Sequence, residues 1–292
     1  MHRLTVLAAW MLMAALMGGC GDDVPTEVEN IIPPTTPVVE TVTPTPSLPP
    51  ETQPPVTLPP TEPPVLPTET VAPTETPAPV SKGILIAIDP GHQAFSVDMS
   101  GKEPNAPGSS VMKTKASTGT TGRFSGVAEY ELNLDISLLL RDALEELGYE
   151  VIMTREDNET AISNSERAQL ANNAGADICI RIHANGSDDS SVAGALAMVA
   201  SAQNPYVGHL YEESRRLSDC VLSAYCEETG LRNRGVQITD TMTGLNWSQI
   251  PVMILEMGFM TNQSDDLNMA DPAFRTTMVQ GIVNGIEAYY AA

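Results

Sequence analysis

The sequence is poor in basic and aromatic residues. Its 292 residues hold 15 Lys and Arg against 37 Asp and Glu, a net charge of −22 with the histidines neutral. So large an acidic excess excludes nucleic acid as a partner, because binding phosphate needs a cationic surface. It also excludes electrostatic docking on anionic lipid. Aromatic residues make up only 4%, but 42% of residues are apolar, enough for a core of ordinary size. There are only four cysteines and no CxxC pair, which argues against a cysteine zinc site. Cys220 and Cys226 fall on one predicted helix, where their spacing gives about 9 Å of rise and different faces. They cannot bridge without melting that helix. Cys179 lies in an apolar run and reads as a small core residue.

What is present is divided sharply. Of 24 prolines, 18 lie between Pro25 and Pro79, and from Asp22 to Val80 there is no Lys, Arg, Gly, Trp, Tyr or Phe. Such a segment cannot bury enough apolar surface to offset its chain entropy. Residues 21–82 therefore read as a disordered Pro/Thr-rich linker, extended in polyproline II, with a reach on the order of 180 Å. Before it, Met1–Cys20 has a positive Arg3, an apolar run Leu4–Leu16 and small residues ahead of Cys20. This is a secretory signal pattern, too short to span a bilayer. Met17-Gly18-Gly19-Cys20 resembles a bacterial lipobox. That resemblance implies cleavage before Cys20, lipidation of Cys20 and an extracytoplasmic protein anchored to the membrane and facing the cell wall. A plain signal peptide is the alternative.

Residues 83–292 carry the folding material. Ile84–Asp89 is a continuous apolar run, expected to form a strand covered on both faces. Residues 93–127, rich in Gly, Ser, Thr and Pro, read as a long loop, functional or mobile. Ala128–Leu147 is a predicted helix with Leu132, Ile136, Leu139, Leu140, Ala143, Leu144 and Leu147 on its apolar stripe. Strands are expected at Glu150–Thr154, Asp177–Ile182, Ala193–Ala200 and Pro251–Glu256, with a short one at Val236–Thr239. Helices are expected from the capping box Ser163–Glu166 to Gly175, from Gly208 to Thr229, and from Asp271-Pro272 onward. This alternation predicts a single α/β domain with a central, largely parallel twisted sheet flanked by helices on both faces. In such folds sites form outside the carboxyl ends of the strands.

Four polar residues stand at that edge. His92 follows the first strand, His183 follows the Asp177–Ile182 strand, Glu256 ends the Pro251–Glu256 strand, and Glu129 opens the helix after the long loop. Two imidazoles and a carboxylate make a His₂Glu set, as in zinc hydrolases that keep one position for water, and a second carboxylate nearby suits a general base. Spacing alone does not establish this, since no HExxH motif is present. A salt bridge from Glu129 or Glu256 to Arg155, Arg167 or Arg181 is the structural alternative.

Five segments in order, IAIDPGH (86–92), EYELNL (129–134), MTRE (153–156), RIHAN (181–185) and IPVMILEMGFMTN (250–262), resemble the zinc-dependent N-acetylmuramoyl-L-alanine amidases of the amidase-3 type. The resemblance implies that His92, Glu129 and His183 ligate one zinc ion and that Glu256 is the catalytic glutamate. It selects Glu129 over Glu131, because the family's ligand precedes the Leu-Asn-Leu part by three residues. It implies a peptidoglycan substrate cut between N-acetylmuramic acid and L-alanine. Cleavage within the stem peptide, or a non-catalytic wall-binding head, are the other readings. The stretch between His92 and Glu129 is longer than the family usually has. Asp89 is a candidate for orienting an imidazole, or for a strand-end hydrogen bond. Asn185 is a candidate for holding the loop after His183, or for meeting substrate. Arg155 and Arg167 are read as structural.

Overall fold

The computed structural model describes residues 79–291. The signal segment 1–20 with Cys20, and nearly all of the linker, lie outside the described residues. The strands are β1 (Leu85–Pro90), the hairpin β2 (Lys102–Pro104) and β3 (Met112–Thr114), β4 (Glu150–Met153), β5 (Ile178–Asn185), β6 (Ala195–Val199), β7 (Asn233–Ile238) and β8 (Val252–Phe259). The helices are α1 (Glu129–Glu146), α2 (Asn164–Ala174), α3 (Tyr211–Thr229), the single turn α4 (Thr243–Asn246), α5 (Gln263–Ala270) and α6 (Pro272–Ala291).

Six strands form one sheet in the order β4-β1-β5-β8-β6-β7. Neighbours are parallel except β6 and β8, which run antiparallel. The expected α/β class with a largely parallel sheet is thus what the chain forms. Alternate strand residues explain the continuous apolar runs. Ile86, Ile88, Ile180, Ile182, Met253 and Leu255 pack in one core cluster with Leu132, Ile136, Leu140 and Leu144 of α1 and with α3 and α6. Ala87, Cys179, Val252 and Ile254 pack instead with Ala171 of α2 and Leu245 of α4. Both faces are covered, so neither needs polar alternation. Among the described residues, no helix is long and apolar enough to cross a membrane.

The structure corrects three expectations. Leu139 and Leu147 are exposed, at 45% and 42%, because the buried stripe of α1 follows 132, 136, 140 and 144. Strands β5 and β8 continue three residues beyond Ile182 and Glu256, so His183 and Glu256 sit within strands rather than at or beyond their ends. The segment 93–127 is not structureless. It contains the β2–β3 hairpin and is fastened by buried polar contacts. The Glu103 carboxylate accepts from Ser165 Oγ at 2.6 Å and from the Ser165 backbone N–H, at the N-terminus of α2 where the helix dipole favours an anion. Trp247 Nε1 donates to the Pro104 carbonyl at 2.9 Å. The capping box of α2 forms as read, with Glu166 N–H donating to Ser163 Oγ and Ser163 N–H donating to Glu166 Oε2.

Candidate metal centre

The site is built first from register. Strands β5 and β8 are parallel with His183 opposite Glu256. Directly opposed strand residues send their side chains to the same face, so these two are neighbours. His92 arrives from the turn after β1. Its backbone is left-handed, with φ +63°, the only such non-glycine among the described residues. Two buried arginines hold that turn. Arg155 donates to the carbonyls of Pro90 and Gly91 at 2.9 and 3.0 Å. Arg167 donates to the carbonyls of Pro90 and His92 at 2.6 and 2.8 Å. Gly91 allows the turn to pass over the site, since a Cβ there would lie 2.2–2.6 Å from the His183 ring. Glu129 enters from the first turn of α1, and its carboxyl accepts N–H bonds from Ala184 at 3.1 Å and Thr120 at 2.9 Å.

Three donor atoms converge. His92 Nε2 lies 3.0 Å from Glu129 Oε1, and His183 Nδ1 lies 3.1 Å from His92 Nε2 and 3.3 Å from Glu129 Oε1. These are the spacings of a tetrahedral zinc site, whose ligands at about 2.0–2.1 Å from the ion stand roughly 3.3 Å from one another. The donor chemistry fits as well. His92 Nδ1 is 2.8 Å from the Ser117 carbonyl, which only accepts, so Nδ1 carries the proton and Nε2 turns a lone pair to the cluster. That lone pair and a carboxylate oxygen 3.0 Å away repel unless a proton or a cation lies between them. His92, Glu129 and His183 are the one such group of potential metal ligands among the described residues.

Burial pushes His183 down to about 4 against the pull of Glu129, so its imidazole is neutral near pH 7. Burial acts to raise Glu129, but the neighbouring imidazoles, His183 first, outweigh it and hold the carboxyl ionised, below the usual carboxylate range. Glu256 behaves oppositely. It lines the recess without a cationic partner, and burial together with Glu129 pushes it up to about 8. The recess holds about 370 Å³, and Ser117, Thr120, Asn185, Gly186, Met242 and Ile254 complete its walls.

The structure thus gathers His92, Glu129, His183 and Glu256 into one recess, while Glu131 faces solvent. Asp89 is the exception. It orients no imidazole; its carboxylate accepts from Arg167 Nη1, Arg181 Nε and Thr154 Oγ1 at 2.6, 2.6 and 2.5 Å. Burial acts to raise Asp89, but the two guanidinium groups hold it well below the usual carboxylate range. The arginines considered as partners for Glu129 or Glu256 are therefore committed elsewhere. Asn185 accepts at its backbone carbonyl from Met260 N–H and at its Oδ1 from Gly186 N–H, both at 2.8 Å, and it also lines the recess. Sequence reasoning missed Ser117, Thr120 and Gly119, where φ is +80° and a Cβ would lie 2.6 Å from Glu129 Oε2. Their only signal is a Gly/Thr-rich stretch ahead of a helix.

Sheet and cluster together define an α/β protein with a candidate divalent-metal centre at one edge. The chain matches the N-acetylmuramoyl-L-alanine amidase family, Amidase_3, over residues 86–288, and belongs to it. It is 32% identical over 166 residues to the uncharacterized protein YqiI of Bacillus subtilis, covering 57% of this chain and 76% of that one. It is 26% identical over 224 residues to the N-acetylmuramoyl-L-alanine amidase Rv3717 of Mycobacterium tuberculosis, covering 74% of this chain and 90% of the relative. The N-acetylmuramoyl-L-alanine amidase LytC of Bacillus subtilis is 30% identical over 168 residues, or 57% of this chain, but only 32% of its own length is spanned. Among solved structures, the apo form of the N-acetylmuramyl-L-alanine amidase Ami1 from Mycobacterium abscessus superposes with a TM-score of 0.64 at 27% identity, over 71% of this chain and 99% of that one.

Two outcomes test this account. Asp89→Asn strips the counter-charge from two buried guanidinium groups and should cost about 3–5 kcal/mol in denaturant unfolding. A loss under about 1 kcal/mol would show that the carbonyl contacts alone hold the arginines. Glu256 has a folded-state pKa of about 8, above its ordinary 4.5. Its protonated form is thus favoured by folding, and the stability it contributes is complete below about pH 4.5 and lost as pH rises to 8. In metal-free protein, Glu256→Gln should raise Tm by several degrees at pH 9 and leave it unchanged at pH 4.5. An equal Tm difference at both pH values contradicts the raised pKa.

Proposed function

We propose that the protein is a zinc-dependent amidohydrolase of peptidoglycan, cutting the amide between the lactyl group of N-acetylmuramic acid and L-alanine of the stem peptide. The observation that carries this is the convergence of His92, Glu129 and His183 beside Glu256, in a chain of the amidase family. The names of Rv3717 and LytC support the same bond. Zinc, when bound by those three side chains, supplies a Lewis acid that brings the pKa of water to about 7 and polarises a carbonyl.

The chain's residues set up the rest. The Ser117 carbonyl fixes the His92 tautomer, and the Thr120 N–H occupies Glu129 Oε2 so that Oε1 faces the two imidazoles. Glu256 has no cation of its own to neutralise it, so it holds a proton readily. With the neighbouring cluster occupied, Glu256 would hold that proton less tightly. It takes the proton of the attacking water and returns it to the leaving nitrogen, a role worth on the order of 10²–10⁴ in rate. An amide needs that second transfer because the amine is a poor leaving group until protonated.

The same reading makes residues 1–20 a cleaved signal, Cys20 a lipid anchor and residues 21–82 a tether. It rests on the sequence pattern and on the substrate, which lies outside the membrane. Several acyl chains anchor stably where one holds marginally.

Digestion of purified cell wall by zinc-loaded protein should free peptides that begin with L-alanine. Glu256→Gln should keep its zinc and lose at least about 10²-fold in turnover, and His183→Ala should lose zinc by metal analysis. Full turnover by Glu256→Gln removes it as the base, and peptides with other N-termini point to cleavage within the stem. In the natural host, Cys20→Ser should move the protein from the membrane to the soluble fraction; continued membrane association refutes the anchor.

A further inference from the structure

A second cleft opens beside the metal centre, and the two share Ser117. It holds about 410 Å³ and is built entirely from residues between His92 and Glu129, with Gln93 and Phe95 at one end of that segment and Thr118 at the other. Three observations say what it takes. First, Gln93 is 1% exposed. Its Oε1 accepts from Arg167 Nη2 at 2.8 Å, and because a guanidinium only donates, this contact fixes which end of the amide faces it. The Nε2 end is turned away and has no partner. Buried donors in native proteins nearly always find acceptors, so this one calls for a water or a ligand oxygen. Second, Phe95 is 55% exposed yet held in place, its ring meeting Tyr130 edge-on at a centroid distance of 5.1 Å and an interplanar angle of 90°. Third, the lining offers hydroxyls from Ser96, Ser100, Thr114, Ser117 and Thr118, one carboxylate from Asp98, and no Lys or Arg. An anionic ligand would meet no cation there. A neutral ligand with hydroxyl and carbonyl groups and one apolar ring face matches the set.

We propose that this cleft is a subsite for a sugar ring of the glycan strand, with the Gln93 amide donating to an acetamido carbonyl and Phe95 packing on the pyranose face. The proposal rests on the amidase reading of the neighbouring centre and extends it. The scissile amide joins a sugar-borne lactyl group to a peptide, so the two halves of the substrate must leave the centre on different sides. The Ser117 side takes the sugar.

The probe is glycan strand stripped of its peptides, with the lactyl carboxylates that this leaves capped as amides, titrated calorimetrically into the zinc-loaded full chain. Phe95→Ala should weaken binding tenfold or more. Gln93→Glu keeps an acceptor towards Arg167, and so keeps the fold contact, while turning the free donor into an acceptor; it should weaken binding to a similar degree. With solubilised, peptide-bearing strands as substrate, both variants should raise KM and change kcat less than twofold. Free stem peptide should bind both variants as it binds the wild type. Stripped glycan that fails to bind the wild type, or binds both variants as tightly, overturns the proposal. So does a parallel loss of glycan and stem-peptide binding, which marks general damage. If the wild type binds glycan but releases no L-alanine-terminated peptide, the amidase reading fails while the sugar site stands.

Discussion

The centre depends on one buried electrostatic arrangement. Asp89 balances Arg167 and Arg181 inside the protein, with ion-pair distances of 2.6 Å to each. Buried guanidinium groups are costly without partners, and one carboxylate cannot satisfy two of them, still less three once Arg155 is counted. Other donors of Arg155 and Arg167 turn to backbone carbonyls, among them those of Pro90, Gly91 and His92. A turn that presents its oxygens inward to cations must present something else towards the recess. That something is the His92 side chain, carried on a backbone conformation that residues with a Cβ seldom adopt. Burial, like-charge repulsion from Arg167 and partial compensation by Asp89 leave Arg155 pushed down to about 10, still charged near neutrality. The stability problem posed by the arginines and the placement of the imidazole are therefore one problem with one solution.

The sheet does the complementary part. Parallel pairing of β5 with β8 aligns His183 with Glu256, and β1 beside β5 sets Asp89 against Arg181 two residues earlier on the same face. One face of β5 therefore carries the structural charge pair first and His183 next, and the recess begins where the apolar lining ends. The antiparallel β6 closes the far side of Glu256, with Leu196 as its cross-strand neighbour. Flanked by His183 on one strand and Leu196 on the other, the carboxyl is partly desolvated and faces Glu129, which is why its proton affinity rises.

The elements with strong periodicity were legible in the sequence: β1, β4, β5 and β8 as apolar runs, and α1, α2, α3 and α6 from stripes and caps. His92, His183 and Glu256 stood out because each interrupts or ends an apolar run. Glu129 was separated from Glu131 by family resemblance, not by any physical signal. The hairpin of β2 and β3, the turn α4 and the short α5 were not legible. Their residues are mostly polar, and their order comes from distant partners, as when Ser165 meets Glu103 or when Phe124 and Ser125 donate to Asp266. The arginine partners of Asp89 were not legible for the same reason, since they lie 78 and 92 residues away along the chain. Extension of β5 and β8 past His183 and Glu256 depends on pairing between strands, which periodicity within one strand does not encode.

Because the three converging donors come from widely separated stretches, with Glu129 and His183 54 positions apart and His92 and His183 91 positions apart, any ion captured there acts as a staple. It closes long loops, and holding such loops shut removes freedom that the unfolded chain would otherwise regain. Loss of such an ion would thus shorten the life of the molecule.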